Sequence, residues 1–185
     1  MREQIVETAV VEFHRRGFAA CSVDTITKAA GVPKGSFYNH FKSKEALAAE
    51  AVGRYAADAE WNSPVDPDLT PLGELRARFA AMRDVVAAYD YTRGCMIGNM
   101  GEEAADHSEV IRATVRECLD GWTTGIVALI QAAQAAGEVA QELNAELVGS
   151  FVLDSWEGAV LRAKVVKTGR PLDDFFVAVF DNLLR

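Results

Sequence analysis

The side chains whose types and spacing suit chemistry best fall between residues 34 and 44: Lys34-Gly35-Ser36, then Tyr38, His40 and Lys44. Lys34 and Ser36 project from the first turn of a short helix, and Tyr38, His40 and Lys44 are donors able to reach phosphates. Donors clustered at a helix start grip phosphate oxygens and base edges. Gly35 carries no side chain, so the backbone there can approach a phosphate or base edge closely.

A second set is Arg93-Gly94-Cys95-Met96-Ile97-Gly98-Asn99-Met100. A thiol in the first turn of a helix beside Arg93 has its thiolate favoured by the helix dipole and the positive charge, although Glu102 and Glu103 oppose this. Cys95 therefore reads as a sensing thiol, an unreactive pocket wall or a core residue, and Cys118, in mid-helix, as core. Cys95 as a nucleophile with His107 as its base lacks any acid or oxyanion partner at recognisable spacing, and of the three histidines His14 and His40 lie near the N-terminus. Glu102, Glu103, Asp106 and His107 read as a solvated helix end as readily as a metal site. No catalytic residue, metal or cofactor is expected, and the chain does not read as an enzyme.

Helices must position these groups. Val6, Ala9, Val10 and Phe13 repeat at helical spacing before Gly17 stops them. Ser22 offers an N-cap to a short helix carrying Val23, Ile26 and Ala30. Gly31-Val32-Pro33 makes a tight turn into a third helix over about residues 34–41, too short to stand alone and anchored by Phe37 and Phe41. Those two rings read as core. Ser43 caps a fourth helix to about residue 60. Residues 62–71 contain three prolines and form the main loop. Beyond it Leu72, Leu75, Phe79, Met82 and Val86 mark an amphipathic helix ending near Tyr89, and a short helix begins near Gly94-Cys95. Ile111, Val115, Cys118, Trp122, Ile126 and Leu129 mark a long helix closed by Gly137. Residues 147–166 form another, and Gly169-Arg170-Pro171 separates it from a last one carrying Leu172, Phe175, Phe176, Val179, Phe180, Leu183 and Leu184. Strand-like alternation and internal repeats are absent, so the fold class is all-α with about nine helices.

Charge divides along the chain. Residues 14–44 hold six basic side chains against the single acid Asp24, a net of +5, whereas residues 51–185 hold 12 basic and 21 acidic ones, a net of -9, within a total of -8. Phosphate repels the acidic part, so the basic N-terminal end is the one that meets nucleic acid. Three cysteines, Cys21, Cys95 and Cys118, show no paired spacing. The N-terminus lacks a signal peptide's apolar core and no stretch approaches a membrane span, so a cytoplasmic protein with no membrane partner is expected.

Residues 22–47, SVDTITKAAGVPKGSFYNHFKSKEAL, read as helix, turn, helix and the start of a supporting helix, the geometry that sets a second helix in the major groove. Ile26-Thr27-Lys28-Ala29-Ala30-Gly31-Val32, Gly35-Ser36-Phe37-Tyr38-Asn39-His40-Phe41 and Ser43-Lys44-Glu45 closely resemble the signature of TetR-family transcriptional repressors. Thr27 stands where the pattern has alanine, and Cys21 where it often has threonine. The segment from Gly94 to Asn99 is similar to one found in a branch of that family, some of whose members use the cysteine to respond to electrophiles or oxidants.

The resemblance implies that Lys34, Gly35, Ser36 and Asn39 face bases while Ser22, Tyr38, His40 and Lys44 hold the DNA backbone. It implies a helix-turn-helix head over residues 1–45 and a helical ligand-binding and dimerisation body over 46–185. Two bodies are expected to pair through their last two helices, which are apolar on more than one side, and mid-helix Ala159 would permit close approach. A small-molecule effector would be lined by Phe79, Met82, Tyr89, Cys95, Met96, Trp122, Phe151 and Trp156, with Arg93, Asn99 and Asp154 as polar anchors. The expected activity is repression at a palindromic operator by a homodimer, relieved when a small apolar or electrophilic molecule binds. A helical adaptor that merely dimerises is the alternative, and it leaves the basic head unexplained.

Overall fold

The computed structural model describes residues 1–63 and 65–185; Pro64, one of the prolines of the expected loop, lies outside the described residues. Among the described residues there are nine α-helices and no strand: α1 (Arg2–Arg16), α2 (Val23–Ala29), α3 (Lys34–Tyr38), α4 (Lys44–Ala57), α5 (Pro71–Ala88), α6 (Met96–Ala104), α7 (Glu109–Ala135), α8 (Ala145–Val166) and α9 (Arg170–Phe176). A 3-10 turn follows α4 at Glu60–Asn62, and α9 runs on as a wider π-helical stretch over Val177–Leu183. Among the described residues no helix is long and apolar enough to cross a membrane.

Several helix starts follow side-chain caps. Ser22 Oγ accepts from the Thr25 amide at 3.0 Å and Ser43 Oγ from the Ala46 amide at 3.2 Å. Thr70 does the same for Gly73 at 3.2 Å, with Pro71 in the first turn of α5, and Asn144 for Leu147 at 3.1 Å. α3 is shorter than expected. Ser43 must be extended, at φ −157° and ψ 168°, to cap α4, so the chain leaves the helix early, and the amides of His40 and Phe41 both turn back to the Phe37 carbonyl at 2.9 Å.

The chain forms two compact units: residues 1–58 with 95–119, and residues 59–94 with 120–185. The first contains the whole expected head. It also takes in the rest of α4 because Leu47, Ala48, Ala51 and Val52 bury one face of that helix, which packs on α1. α6 joins it, packing on α4 and α1, with Met96, Ile97, Met100 and Ala104 buried. In the second unit the centre is aromatic. Phe79 is fully buried with its ring centroid 5.4 Å from Trp61, 5.2 Å from Trp156 and 5.1 Å from Phe175. Arg76 of α5 lies over Phe176 and Phe180 and pairs with Asp181 at 3.1 Å.

Candidate nucleic-acid interface

α3 presents two faces. Phe37 is fully buried and Phe41 nearly so, their rings 5.5 Å apart, as expected of core anchors. The opposite side is open: Lys34, Gly35, Tyr38, Asn39 and His40 are exposed, while Ser36 is half-buried. Tyr38 is 60% exposed, its ring edge-on to Phe37 at 5.1 Å, so the side chain is oriented while its hydroxyl faces outward. A Cβ at Gly35 would meet nothing within 4 Å, which is the clearance a DNA backbone or base edge needs.

Contacts from α1 and α4 hold this short helix. Gln4 Nε2 donates to the Ala30 carbonyl at 2.7 Å, capping the end of α2. Gly31 follows at φ 68°, a left-handed turn that glycine takes without strain. Arg2 lies over the Phe41 ring at 5.1 Å and makes a two-pronged ion pair with Glu50 of α4. Gln4 and Arg2 carry no local sequence signal for these contacts, since their partners lie 26 and 48 residues away.

The electrostatics favour an anion. Asp24, the one acid in the basic stretch, pairs with Lys28 at 2.8 Å; that hydrogen bond, aided by the nearby Lys28 and Lys34 charges, holds its carboxyl below the usual range. Ser22 is exposed, its Oγ engaged in the α2 cap. Lys44 is drawn inward: Nζ donates to the Phe18 carbonyl at 3.0 Å and sits 3.9 Å over the Phe18 ring. The two departures from the resembled signature also face inward. Thr27 Oγ1 donates to the Val23 carbonyl at 2.9 Å, and the buried Cys21 thiol donates to the Glu12 carbonyl at 3.3 Å. Burial pushes the Cys21 thiol up, with Glu12 adding to the effect.

The eleven expected effector residues fall in different surroundings. Phe79 and Trp156 come together in the aromatic centre of the second unit, against Trp61 and Phe175. Trp122 is buried and Met82 half-buried in the same unit. The Arg93 guanidinium stacks over the Tyr89 ring at 3.7 Å, and between them Asp90 and Tyr91 hold φ of 51° and 55°. Lys167 Nζ donates to the Tyr91 carbonyl at 3.3 Å. In the first unit Cys95 is the N-cap of α6 rather than a residue of its first turn, Met96 is buried, and Asn99 is half-buried.

Phe151 and Asp154 lie on the exposed face of α8, opposite Trp156. They belong to a row, Leu147, Phe151, Asp154, Gly158, Leu161 and Val165, that is exposed at every position and steps by four and three in alternation. Gly158, rather than the half-buried Ala159, is the small residue of this row, and a Cβ there would meet nothing within 4 Å. Among the described residues no group of three His, Cys, Asp or Glu side chains stands at metal-binding spacing.

Comparison with known proteins agrees with this geometry. Residues 5–51 match the family described as bacterial regulatory proteins, tetR family, and residues 71–179 match the tetracyclin repressor-like C-terminal domain. The chain is 34% identical to the HTH-type transcriptional repressor DhaR of Mycobacterium sp. (strain GP1), across 100% of this chain and 92% of that one. It is 31% identical to the transcriptional regulator AcuR of Cereibacter sphaeroides, across 94% and 80%. The crystal structure of regulatory protein TetR from Rhodobacter sphaeroides superposes with a TM-score of 0.86 at 30% identity, covering 94% of each chain.

Proposed function

Given that the chain belongs to the TetR family of bacterial transcriptional repressors, we propose that it binds a palindromic operator as a homodimer and releases it when a small apolar or electrophilic molecule binds. The observation that carries the reading is the two-faced α3, with Phe37 fully buried and Lys34, Gly35, Tyr38 and Asn39 exposed on a short helix entered through Gly31-Val32-Pro33. In this reading Lys34, Gly35, Ser36 and Asn39 meet base edges, and Ser22, Tyr38 and His40 meet the DNA backbone. Lys44 contributes to both interior and surface: an ammonium has three donors, and Phe18 takes one. The acidic remainder of the chain keeps phosphate to the basic end.

The exposed row on α8 supports pairing. Apolar residues at alternating four and three spacing form a helix-packing seam, and Leu147, Phe151 and Val165 are 69%, 55% and 73% exposed. A second copy of the chain is the partner that supplies the same seam in return. For the effector, residues 89–93 support the reading: two consecutive non-glycine residues in the left-handed region store strain, which a bound molecule can release. Cys95 is the position for a covalent response, and Cys95→Ser abolishes electrophile-induced release if the response is covalent; retained release leaves reversible binding. A cytoplasmic protein follows from this role.

The test is selection of duplexes from a randomised pool by the purified chain, with sedimentation of the complex. The expected result is a two-fold symmetric consensus occupied by an even number of chains. Tyr38→Phe should then weaken binding to selected and unrelated duplexes alike, whereas Lys34→Ala should change the selected sequence. A chain that enriches no sequence at low salt overturns the proposal.

A further inference from the structure

We propose that Glu103 of α6 is a positioning residue for DNA reading: its carboxylate holds the turn at residues 17–19, from which α2 is launched. The inference rests on the DNA-binding role above and concerns contacts within the first unit alone. Glu103 Oε2 accepts the Ala19 amide at 2.8 Å. The other oxygen fills the space that a side chain at residue 17 would occupy, since a Cβ on Gly17 would lie 2.2 Å from Glu103 Oε1. Gly17 has φ 82° and ψ 171°, a conformation that only glycine adopts readily, so the turn is shaped to admit this carboxylate.

Lys44 of α4 holds the same turn through its bond to the Phe18 carbonyl and its contact with the Phe18 ring. An anion and a cation from two different helices thus take hold of adjacent residues, 17–19, in a stretch with no regular structure of its own. Downstream the Cys21 thiol bonds the Glu12 carbonyl and Ser22 caps α2. α2 packs on α3, so a turn that wanders would carry the exposed face of α3 with it.

General electrostatics predicts the opposite outcome from the one this role requires. An exposed acid in a unit that binds a polyanion repels it, so its removal should tighten binding. A positioning role predicts weakening. The experiment compares the full chain with Glu103→Ala and Glu103→Gln on two probes, a duplex selected by the unaltered chain and a shuffled duplex of equal length. Glu103→Ala should bind the selected duplex about three- to tenfold more weakly, as expected for one lost solvent-exposed hydrogen bond, and the shuffled duplex no more weakly. Glu103→Gln keeps a carbonyl acceptor and should stay within about twofold of the unaltered chain on the selected duplex.

The Ala19 amide supplies a second readout. Its hydrogen-exchange protection should be lost in Glu103→Ala and kept in Glu103→Gln. Unchanged or tighter binding of the selected duplex by Glu103→Ala overturns the proposal, as does equal weakening by both variants or Ala19 protection indifferent to either. Failure of the underlying DNA-binding role is read separately, from an unaltered chain that selects no sequence.

Discussion

Replacing Gly17 by alanine, set beside the same change at Gly31 and repeated with Glu103→Ala, separates backbone strain from a lost contact. Both glycines have positive φ, 82° and 68°. At Gly31 a Cβ meets nothing within 4 Å, so alanine there carries only the left-handed backbone cost, about 1 kcal/mol. Gly17 adopts φ 82° with ψ 171°, where a side chain costs about 1–3 kcal/mol. Its new Cβ would also fall 2.2 Å from Glu103 Oε1. That oxygen ends a flexible side chain, so the carboxylate swings away and the loss is its solvent-exposed bond to Ala19, worth about 1 kcal/mol. Gly17→Ala should therefore cost about 2–4 kcal/mol in all, and about 1 kcal/mol less when Glu103 is already alanine. Urea unfolding of the four chains of the cycle, with unchanged slopes, gives these differences directly. Additivity within about 0.4 kcal/mol refutes the coupling, and a Gly17→Ala cost no larger than that of Gly31→Ala refutes the reading of the turn.

Trp156→Ala removes a ring that is 1% exposed and touches Phe79 and Phe175, and should cost about 3–5 kcal/mol by the same measurement. Val165→Glu and Leu161→Glu place charges on the exposed row of α8; sedimentation should show them monomeric, with thermal stability of the isolated chain little changed and selected-duplex binding lost. Acidification should reveal Glu45, whose carboxyl lies below its ordinary 4.5 because its own backbone amide and Ser43 bond to it. A depressed carboxyl stabilises the fold above its unfolded value and loses that contribution as pH falls through the folded value. Glu45→Gln should therefore flatten the fall in stability below about pH 4.5 in an acid titration, and an unchanged profile would contradict the assignment.

The helices and the DNA-reading face were legible because their signals are local. Apolar periodicity gave α1, α5, α7 and α8, Ser22 and Ser43 gave two caps, and the sequence from Gly31 to Phe41 placed a short helix with buried Phe37 and exposed Lys34 and Tyr38. Thr70 before Pro71, and Asn144, carry comparable local cap signals. What was not legible depends on which neighbour arrives from a distance. Phe151 and Asp154 share a helix with Trp156, yet a one-face difference turns them outward while Trp156 goes in. The direction of Lys44 depends on Phe18, 26 residues earlier, and the partner of Glu103 is 84 residues away. Nothing within a window of a few turns encodes such pairings.

The first unit is assembled from two stretches of chain, residues 1–58 and 95–119, separated by 36 residues that belong to the other unit. A ribosome finishing α4 has thus delivered the DNA-reading helices without the α6 surface on which α1 and α4 rest, and the unit closes only after a long loop has been made. Anyone grafting this protein's sequence preference onto a relative's sensor must for the same reason transplant both stretches, because a cut after residue 58 leaves the faces of α1 and α4 that pack on α6 to meet a foreign helix.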